Sequence, residues 1–288
     1  MCILYTKINL DGEKTMNNII AIKTNCYKGF NLDQTIAGIK NAGFKYVEIS
    51  ASPNNSSGIS RFAPFNELCD MKDKFISNGL IPIALGGHTN IMDEDLTAGF
   101  IHNLKLCKFF DCKYFVTSVG DQHTKEEIAT DEIVVEHINK FIPYLEEYDI
   151  NLVIELHGNH CTAKMLNNIV RTCNSERIRI NYDTGNAIYN GGLNNDEILK
   201  DLESNIDLVN YFHIKDKLGE KNEWNFPALG QGYAPLNKVF SIIKKHNKNS
   251  LICAEIEFTA SGPKTVEEVD QAVLDSANYL KQQDFELK

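Results

Sequence analysis

Short apolar runs alternate with amphipathic segments along the chain from residue 19 to residue 283. The runs are rich in Ile, Val and Leu and are followed by turn residues, which is the pattern of buried parallel strands. The segments between the runs have the length and the period of helices. The alternation therefore predicts an α/β protein in which each strand is followed by a helix.

Eight strand–helix pairs are predicted in this region. The strands cover residues 19–22, 46–49, 81–85, 114–118, two runs within 151–186, 208–215 and 251–258. The main helices cover 32–41, 65–77, 96–110, 125–148 with a break near Pro143, 196–204, 236–246 and 266–283.

The number of pairs and the chain length predict a single-domain (β/α)8 TIM barrel over residues 18–288. Residues 1–17 lie outside the repeat and are predicted to form an N-terminal extension. A doubly wound sheet is the alternative fold. It rarely needs eight units, and no GxGxxG motif follows the first strand.

Four polar side chains stand at the C-terminal ends of four predicted strands. They are Glu155, Asp183, His213 and Glu255. In a TIM barrel these ends meet at the face that carries the active site. Three carboxylates packed together would repel one another, so the cluster predicts a divalent cation. Oxygen donors with one imidazole suit Mn²⁺, the preferred candidate, and Mg²⁺, Co²⁺, Fe²⁺ or Zn²⁺ are alternatives.

The fourth ligand could be either of two glutamates, because Glu255 and Glu257 share one face of the predicted eighth strand. Glu255 is preferred, since it directly follows the apolar run 251–254, as Glu155 follows 152–154. Glu257 would then lie further out and face the substrate or Lys215.

Further residues near the same strand ends are predicted to contact a substrate. They are His88, His157, Asn186, Lys215, Glu257 and Trp224. Trp224 lies in the segment 217–233, which is longer than most strand–helix loops and is therefore a candidate lid.

Composition narrows the class of partner. The net charge of −10 disfavours nucleic acid, which is bound mainly through Lys and Arg. The eight cysteines contain no CxxC pair and predict free thiols in a reducing compartment. No apolar run approaches the ~18 residues of a membrane span. We therefore expect a cytoplasmic protein that binds a small molecule, and association into homo-oligomers is left open.

Five short motifs resemble those of the xylose isomerase-like barrel superfamily. They are VIELHG at 153–158, NYDTGN at 181–186, YFHIKD at 211–216, ALGQG at 228–232 and AEIEF at 254–258. Within that superfamily they resemble the sugar phosphate isomerase/epimerase group, which shares its fold with endonuclease IV, of AP endonuclease family 2.

The resemblance implies that one metal ion is held by Glu155, Asp183, His213 and Glu255, and that the two glutamates form the acid/base pair. One position departs from the family pattern. Many members have His three residues after the aspartate ligand, where this chain has Asn186. Asn can hydrogen-bond a hydroxyl group but cannot titrate, so the ketohexose epimerase pocket does not carry over directly.

The predicted function is a metal-dependent isomerase or epimerase of a keto sugar or related polyol ketone. Glu155 and Glu255 would transfer the proton through an enediolate that the ion stabilises. The first alternative is a lyase or dehydratase acting on an inosose or keto-glycoside, in which a leaving group departs from the same intermediate. The second alternative is a sugar- or metal-binding protein without catalytic activity.

Overall fold

Eight parallel strands close into a barrel in the part of the chain that the computed structural model describes, residues 18–51, 60, 62–87, 91–92, 97–120, 129–246 and 248–287. The barrel strands are β1 (Ile19–Lys23), β2 (Tyr46–Ser50), β3 (Ile81–Gly86), β4 (Tyr114–Thr117), β5 (Asn151–Glu155), β6 (Ile178–Asp183), β7 (Val209–Ile214) and β9 (Leu251–Ala254). β1 pairs with β2 and also with β9, which closes the ring. The predicted TIM barrel is confirmed.

Helices follow the strands along the chain. They are α1 (Leu32–Ala42), α2 (Phe65–Ser77), α3 (Thr97–Phe109), α4 (Asp131–Asn139), α5 (Ile142–Tyr148), α6 (Ala163–Cys173), α7 (Thr184–Tyr189), α8 (Asn195–Asn205), α9 (Leu236–Lys245) and α10 (Val266–Gln282). No helix among these described segments is long and apolar enough to cross a membrane. The predicted extension 1–17 lies outside the described residues.

Side chains along each strand alternate between two separate apolar clusters. Ala21, Val153 and Cys253 belong to a small cluster contributed almost entirely by the barrel strands. Their neighbours in sequence, such as Ile20 and Leu152, belong to the large cluster that also contains the buried faces of the helices. Because successive side chains in a strand point to opposite faces, the small cluster is the interior of the barrel.

The same alternation decides which residues reach the mouth of the barrel. Lys23, Glu155 and Glu255 each stand two positions after a residue of the interior cluster. A residue two positions further along a strand shares the face of its predecessor. The end of the strand therefore delivers each of these side chains into the opening rather than toward the helices.

Three predicted elements differ from the structure. The eighth barrel strand ends at Ala254 rather than at 258, and Phe258–Thr259 forms a separate strand, β10. β10 pairs antiparallel with β8 (Asn225–Phe226), so the segment 217–233 is not wholly irregular. The residues that follow β6 form the helix α7, which was not predicted and is capped by the Asp183 side chain. In each case a contact distant in sequence, or a side-chain cap, overrides the local pattern.

The predicted helix 125–148 is two helices in its described part. α4 ends at Asn139 and α5 begins at Ile142, so the break precedes Pro143. Pro143 lies in the first turn of α5. Backbone N–H groups in a first turn have no partner within the helix, so a proline is tolerated there. Residues 125–128 lie outside the described part.

Gly185 allows α7 to pack closely against the residues that follow β7. A Cβ atom added at Gly185 would lie 2.7 Å from both Cγ and Cδ of Lys215 and 3.0 Å from its Cβ. Carbon atoms in contact normally lie about 3.5–4.0 Å apart. The glycine of the DTG sequence therefore leaves the space that the Lys215 side chain occupies.

We expect Gly185→Ala to destabilise the protein by about 1–3 kcal/mol, because overpacking at Lys215 outweighs the helix propensity gained from alanine. Gly99→Ala in α3 is the matched control, since an added Cβ there meets no atom within 4 Å. The measurement is urea unfolding of both variants. A Gly185→Ala protein as stable as Gly99→Ala would contradict the packing described.

Candidate functional site

Four potential metal ligands meet at the C-terminal end of the barrel. One ligand atom from each of Glu155, Asp183, His213 and Glu255 lies within 4.8 Å of the others. All four residues are buried, with exposed fractions between 0% and 5%. Their strands are far apart in sequence, so the closed barrel is what brings the four side chains together.

Two of the carboxylates are anchored through one oxygen and leave the other without a hydrogen bond. Asp183 Oδ1 accepts a 2.8 Å hydrogen bond from the backbone N–H of Asn186. Glu255 Oε1 accepts hydrogen bonds from Lys23 and Asn25. The remaining oxygens, Asp183 Oδ2 and Glu255 Oε2, are buried and have no hydrogen-bond partner.

The histidine is oriented by a contact on its far side. His213 Nε2 lies 2.8 Å from Glu48 Oε2, and this fixes the ring. His213 Nδ1 then faces the cluster, 3.0 Å from Glu155 Oε1 and 3.0 Å from Glu255 Oε2. A carboxylate behind an imidazole is the usual arrangement around a histidine that binds a metal ion.

These residues fit a divalent cation. Buried polar atoms are normally hydrogen-bonded, so two buried carboxylate oxygens without hydrogen bonds need positive charge beside them, which an ion or a cationic side chain can supply. Lys215 Nζ lies 3.2 Å from Asp183 Oδ2 and 3.1 Å from Glu255 Oε2, within ion-pair distance but without hydrogen-bond geometry. Three carboxylates and one imidazole suit a hard or borderline ion rather than one that prefers thiolate ligands.

The pKa values in the cluster are set by burial and by the positive and negative groups that lie close together. Burial alone would raise the pKa of Glu155 and of Glu255, but Lys23 and His213 hold the pKa of both well below the ordinary value. Lys215 also lowers the pKa of Glu255. Burial would lower the pKa of His213, and the adjacent Glu48 and Glu255 instead raise it well above its usual range. Burial raises the pKa of Asp183.

Lys215 connects the cluster to the outer part of the site. Its Nζ donates a 3.0 Å hydrogen bond to Glu257 Oε2 and lies 3.5 Å from Asn186 Oδ1. The Asn186 side-chain amide, Nδ2, in turn donates hydrogen bonds to Glu155 Oε1 and to the carbonyl oxygen of Leu156. Three residues predicted to contact a substrate, Asn186, Lys215 and Glu257, are therefore joined to the ligand cluster.

The two glutamates of the AEIEF motif have different places. Glu255 belongs to the ligand cluster, and Glu257 lies beside Lys215 and Asn25. Both stand beyond Ala254, where β9 ends, so the predicted strand 251–258 is too long, but both side chains lie beside Asn25 and Lys215. The chain reaches both positions in a short extended connection to β10.

Three aromatic rings form a wall next to Lys215. Trp224, Tyr189 and Phe226 contact one another edge to face, with centroids 5.2–5.6 Å apart. Lys215 Nζ lies 4.9 Å from the centroid of the Phe226 ring. Trp224 is 39% exposed and Phe226 is fully buried. Trp224, which is predicted to contact the substrate, is therefore connected to Lys215 through the Phe226 ring.

A single aspartate holds the loop that carries this wall. Asp216 accepts hydrogen bonds from four backbone N–H groups, those of Lys217, Gly230, Gly232 and Ala234. Four donors on one carboxylate tie both ends of the segment 217–234 together. This gives the aspartate of the HIKD sequence a structural role that was not predicted.

Of two further predicted substrate residues, His157 and His88, the described structure includes His157. His157 lies two residues beyond Glu155, where β5 ends. The backbone of His157 instead forms an isolated bridge with His160, and its side chain is half-buried. His88 lies outside the described residues.

Three residues of the site were missed from the sequence: Lys23 and Glu48, which are buried, and Asn25, which is half-buried. Lys23 ends β1 and lies 3.6 Å from Glu48 in the middle of β2, and Asn25 lies in the turn after β1. A charged residue inside or immediately after an apolar strand is the signal that could have identified Lys23 and Glu48. Each stands two positions after a strand residue that packs in or against the interior cluster.

Comparison with known proteins agrees with this architecture. A model of the family described as xylose isomerase-like TIM barrel matches residues 36–283. No curated protein matches the chain. A structure of D-psicose 3-epimerase in the presence of D-fructose superposes with a TM-score of 0.71 at 17% identity, covering 93% of this chain and 99% of the other.

Two further solved structures of similar fold contain a metal ion. The IOLI protein with a binding zinc atom has a TM-score of 0.71 and 18% identity, covering 92% of this chain and 97% of its own. A xylose isomerase-like TIM barrel protein from Mycobacterium smegmatis in complex with magnesium has a TM-score of 0.70 and 11% identity, covering 93% and 96%. At these identities the superpositions establish the fold, and the family match covers most of the chain. The chain belongs to the xylose isomerase-like TIM barrel family.

Proposed function

We propose that the protein is a divalent-cation-dependent isomerase or epimerase of a keto sugar or related polyol ketone. The observation that carries the proposal is the convergence of Glu155, Asp183, His213 and Glu255 at the barrel mouth, with two orphaned oxygens. D-psicose 3-epimerase and L-ribulose 3-epimerase have the same fold and lend support.

These four residues would hold the ion, with Mn²⁺ as the preferred candidate. Two structures of similar fold contain zinc and magnesium, respectively. Measurements of ion binding are therefore needed to identify the ion that this protein prefers. When bound, the ion would supply Lewis acidity toward the carbonyl and a neighbouring hydroxyl group of the substrate.

Glu155 is the group proposed to take the substrate proton. It is 5% exposed, whereas Asp183 is 0% and Glu255 is 1% exposed. Its lowered pKa keeps it ionised at neutral pH, as a base must be. Asn186 holds Oε1 of this carboxylate and so fixes its direction. Glu255, on the other side of the cluster, would return a proton to the substrate after taking one up from water, because its lowered pKa leaves it ionised beforehand.

Lys215 and the aromatic wall would serve the substrate rather than the ion. The Lys215 ammonium group is charged, because the carboxylates around it raise its pKa despite its burial. It can therefore donate to an oxygen that becomes negative during proton removal. Trp224 would pack on the C–H face of the sugar and exclude water, with the buried Phe226 supporting its ring.

A lyase or dehydratase acting on an inosose or keto-glycoside is the second candidate. The observation that favours it is Asn186, whose amide is committed to Glu155 and to the carbonyl of Leu156 and cannot titrate. Lys215, whose ammonium group lies beside Asn186 and Glu257, would then supply the proton for a departing hydroxyl group. Formation of an unsaturated ketone or diketone would identify this reaction.

Binding of the ion should stabilise the protein. A ligand that binds only the folded state stabilises it by ~2.7 kcal/mol at 100 times its Kd. For a domain of this size that corresponds to roughly 5–10 °C in Tm. We expect Mn²⁺ to raise the Tm of chelator-treated protein and EDTA to reverse the increase, as measured by calorimetry. Protein with measured bound metal and an unchanged Tm would argue against a tight four-ligand site.

Glu155→Gln should separate folding from catalysis. We expect turnover of the active sugar to fall about 10²–10⁴-fold, because the amide cannot accept the proton. Unfolding by urea should show a stability close to that of wild type, since glutamine keeps the shape and one oxygen ligand. The matched control is Glu147→Gln on the exposed face of α5, which should turn over like wild type. Equal activity of Glu155→Gln and wild type would remove Glu155 from the mechanism.

A further inference from the structure

Glu255 and Glu155 stand in different electrostatic surroundings, although both are predicted to belong to the acid/base pair. Lys23 Nζ lies 2.7 Å from Glu255 Oε1. Asn25 Nδ2 lies 2.9 Å from the same oxygen and 3.2 Å from Glu257 Oε1. Oε1 of Glu255 is thus held by two donors from the end of β1 and the turn that follows it.

The position of Lys23 is built into the fold. Its side chain is 2% exposed and also lies 3.6 Å from Glu48 Oε1. A Cβ added at Gly86 would lie 2.8 Å from that same oxygen and 3.7 Å from Lys23 Cε. The absence of a side chain at the end of β3 therefore leaves room for this buried pair. A fully buried ammonium group is costly unless carboxylates surround it.

The Lys23 ammonium group lowers the net negative charge of the site. Five carboxylates, those of Glu48, Glu155, Asp183, Glu255 and Glu257, surround two ammonium groups, those of Lys23 and Lys215. With His213 neutral as a ligand, the side chains carry three negative charges in excess. A divalent ion leaves one, and without Lys23 it would leave two. A less negative site better accommodates the charge that develops on a substrate when its proton is removed.

We infer that Lys23 and Asn25 are positioning residues, and that Lys23 is also a fixed counter-charge that weakens cation binding in exchange for faster proton removal. Both hold Oε1 of Glu255, so that Oε2 is the oxygen presented to the ion. The inference rests on the proposed function, and it assigns the end of β1 a role in the same site.

The charge and positioning roles make opposite predictions for two variants. Lys23→Met removes a positive charge near a divalent ion, and the lost repulsion should tighten Mn²⁺ binding about tenfold or more. Asn25→Ala removes a neutral donor, so Glu255 is less well fixed and Mn²⁺ binding should weaken a few-fold. Damage to the fold alone would weaken binding in both variants.

The experiment is calorimetric titration of Mn²⁺ into chelator-treated full-length wild type, Lys23→Met, Lys23→Arg and Asn25→Ala. Lys23→Arg keeps the charge and should bind Mn²⁺ within a few-fold of wild type. Lys23→Gln replaces Lys23→Met if circular dichroism shows that Lys23→Met is unfolded. At saturating Mn²⁺, kcat of the Lys23→Met enzyme should fall at least about tenfold although the ion binds more tightly.

The outcomes separate this inference from the proposed function. Unchanged or weaker Mn²⁺ binding by Lys23→Met, with a wild type that binds Mn²⁺, would overturn the inference alone. Suppose that Mn²⁺ affinity rises in Lys23→Met and falls in Asn25→Ala, but that no sugar is turned over. This result would support the roles of Lys23 and Asn25 in ion binding. It would overturn the proposed reaction and, with it, the proposed effect of Lys23 on its rate. A wild type that binds no divalent ion would overturn both.

Discussion

The buried negative charge at the barrel mouth is the constraint on which the site depends. A carboxylate removed from water is costly unless a positive group or several donors lie beside it. Glu48, Glu155, Asp183 and Glu255 are all at most 5% exposed. Lys23, Lys215 and His213 lie among them, and hydrogen bonds from the backbone and from amide side chains engage one oxygen of Asp183 and one of Glu255. The remaining oxygens, Asp183 Oδ2 and Glu255 Oε2, have no hydrogen bond, and this is the feature on which the proposed cation site rests.

The barrel supplies this arrangement through the two-residue period of its strands. A side chain two positions after an interior residue emerges into the opening, and closure of β1 on β9 brings the ends of distant segments together. Glycine completes the geometry at two places. Gly185 leaves space for Lys215, and Gly86 leaves space for Glu48.

The strand–helix repeat, the barrel and the clustering of Glu155, Asp183, His213 and Glu255 can be predicted from the sequence. The reason is that apolar runs ending in Glu, Asp or His can be recognised in the sequence itself. The sequence does not predict α7, whose start depends on the Asp183 side chain as a cap. It also extends the last barrel strand beyond Ala254, because an apolar pattern alone does not indicate where pairing with β1 stops. Lys23 and Glu48 were missed, since their roles depend on partners more than twenty positions away in the chain. The eight-strand prediction succeeded because strand order in this fold follows chain order.

Membership of the family fixes the architecture and leaves the reaction to be decided by the site. Asn186 is the residue that bears on the choice between the two proposed reactions, proton return and elimination. The most direct test of the central claim is solvent exchange. Wild-type protein loaded with Mn²⁺ is incubated in D₂O with ketohexoses, ketopentoses and inososes, and the products are read by NMR after the metal is removed. The account predicts deuterium at a carbon next to the carbonyl of at least one sugar, with a new epimer or aldose, and no exchange after EDTA treatment. Exchange that persists equally in EDTA, or a metal-loaded protein that exchanges no sugar in the panel, would contradict it.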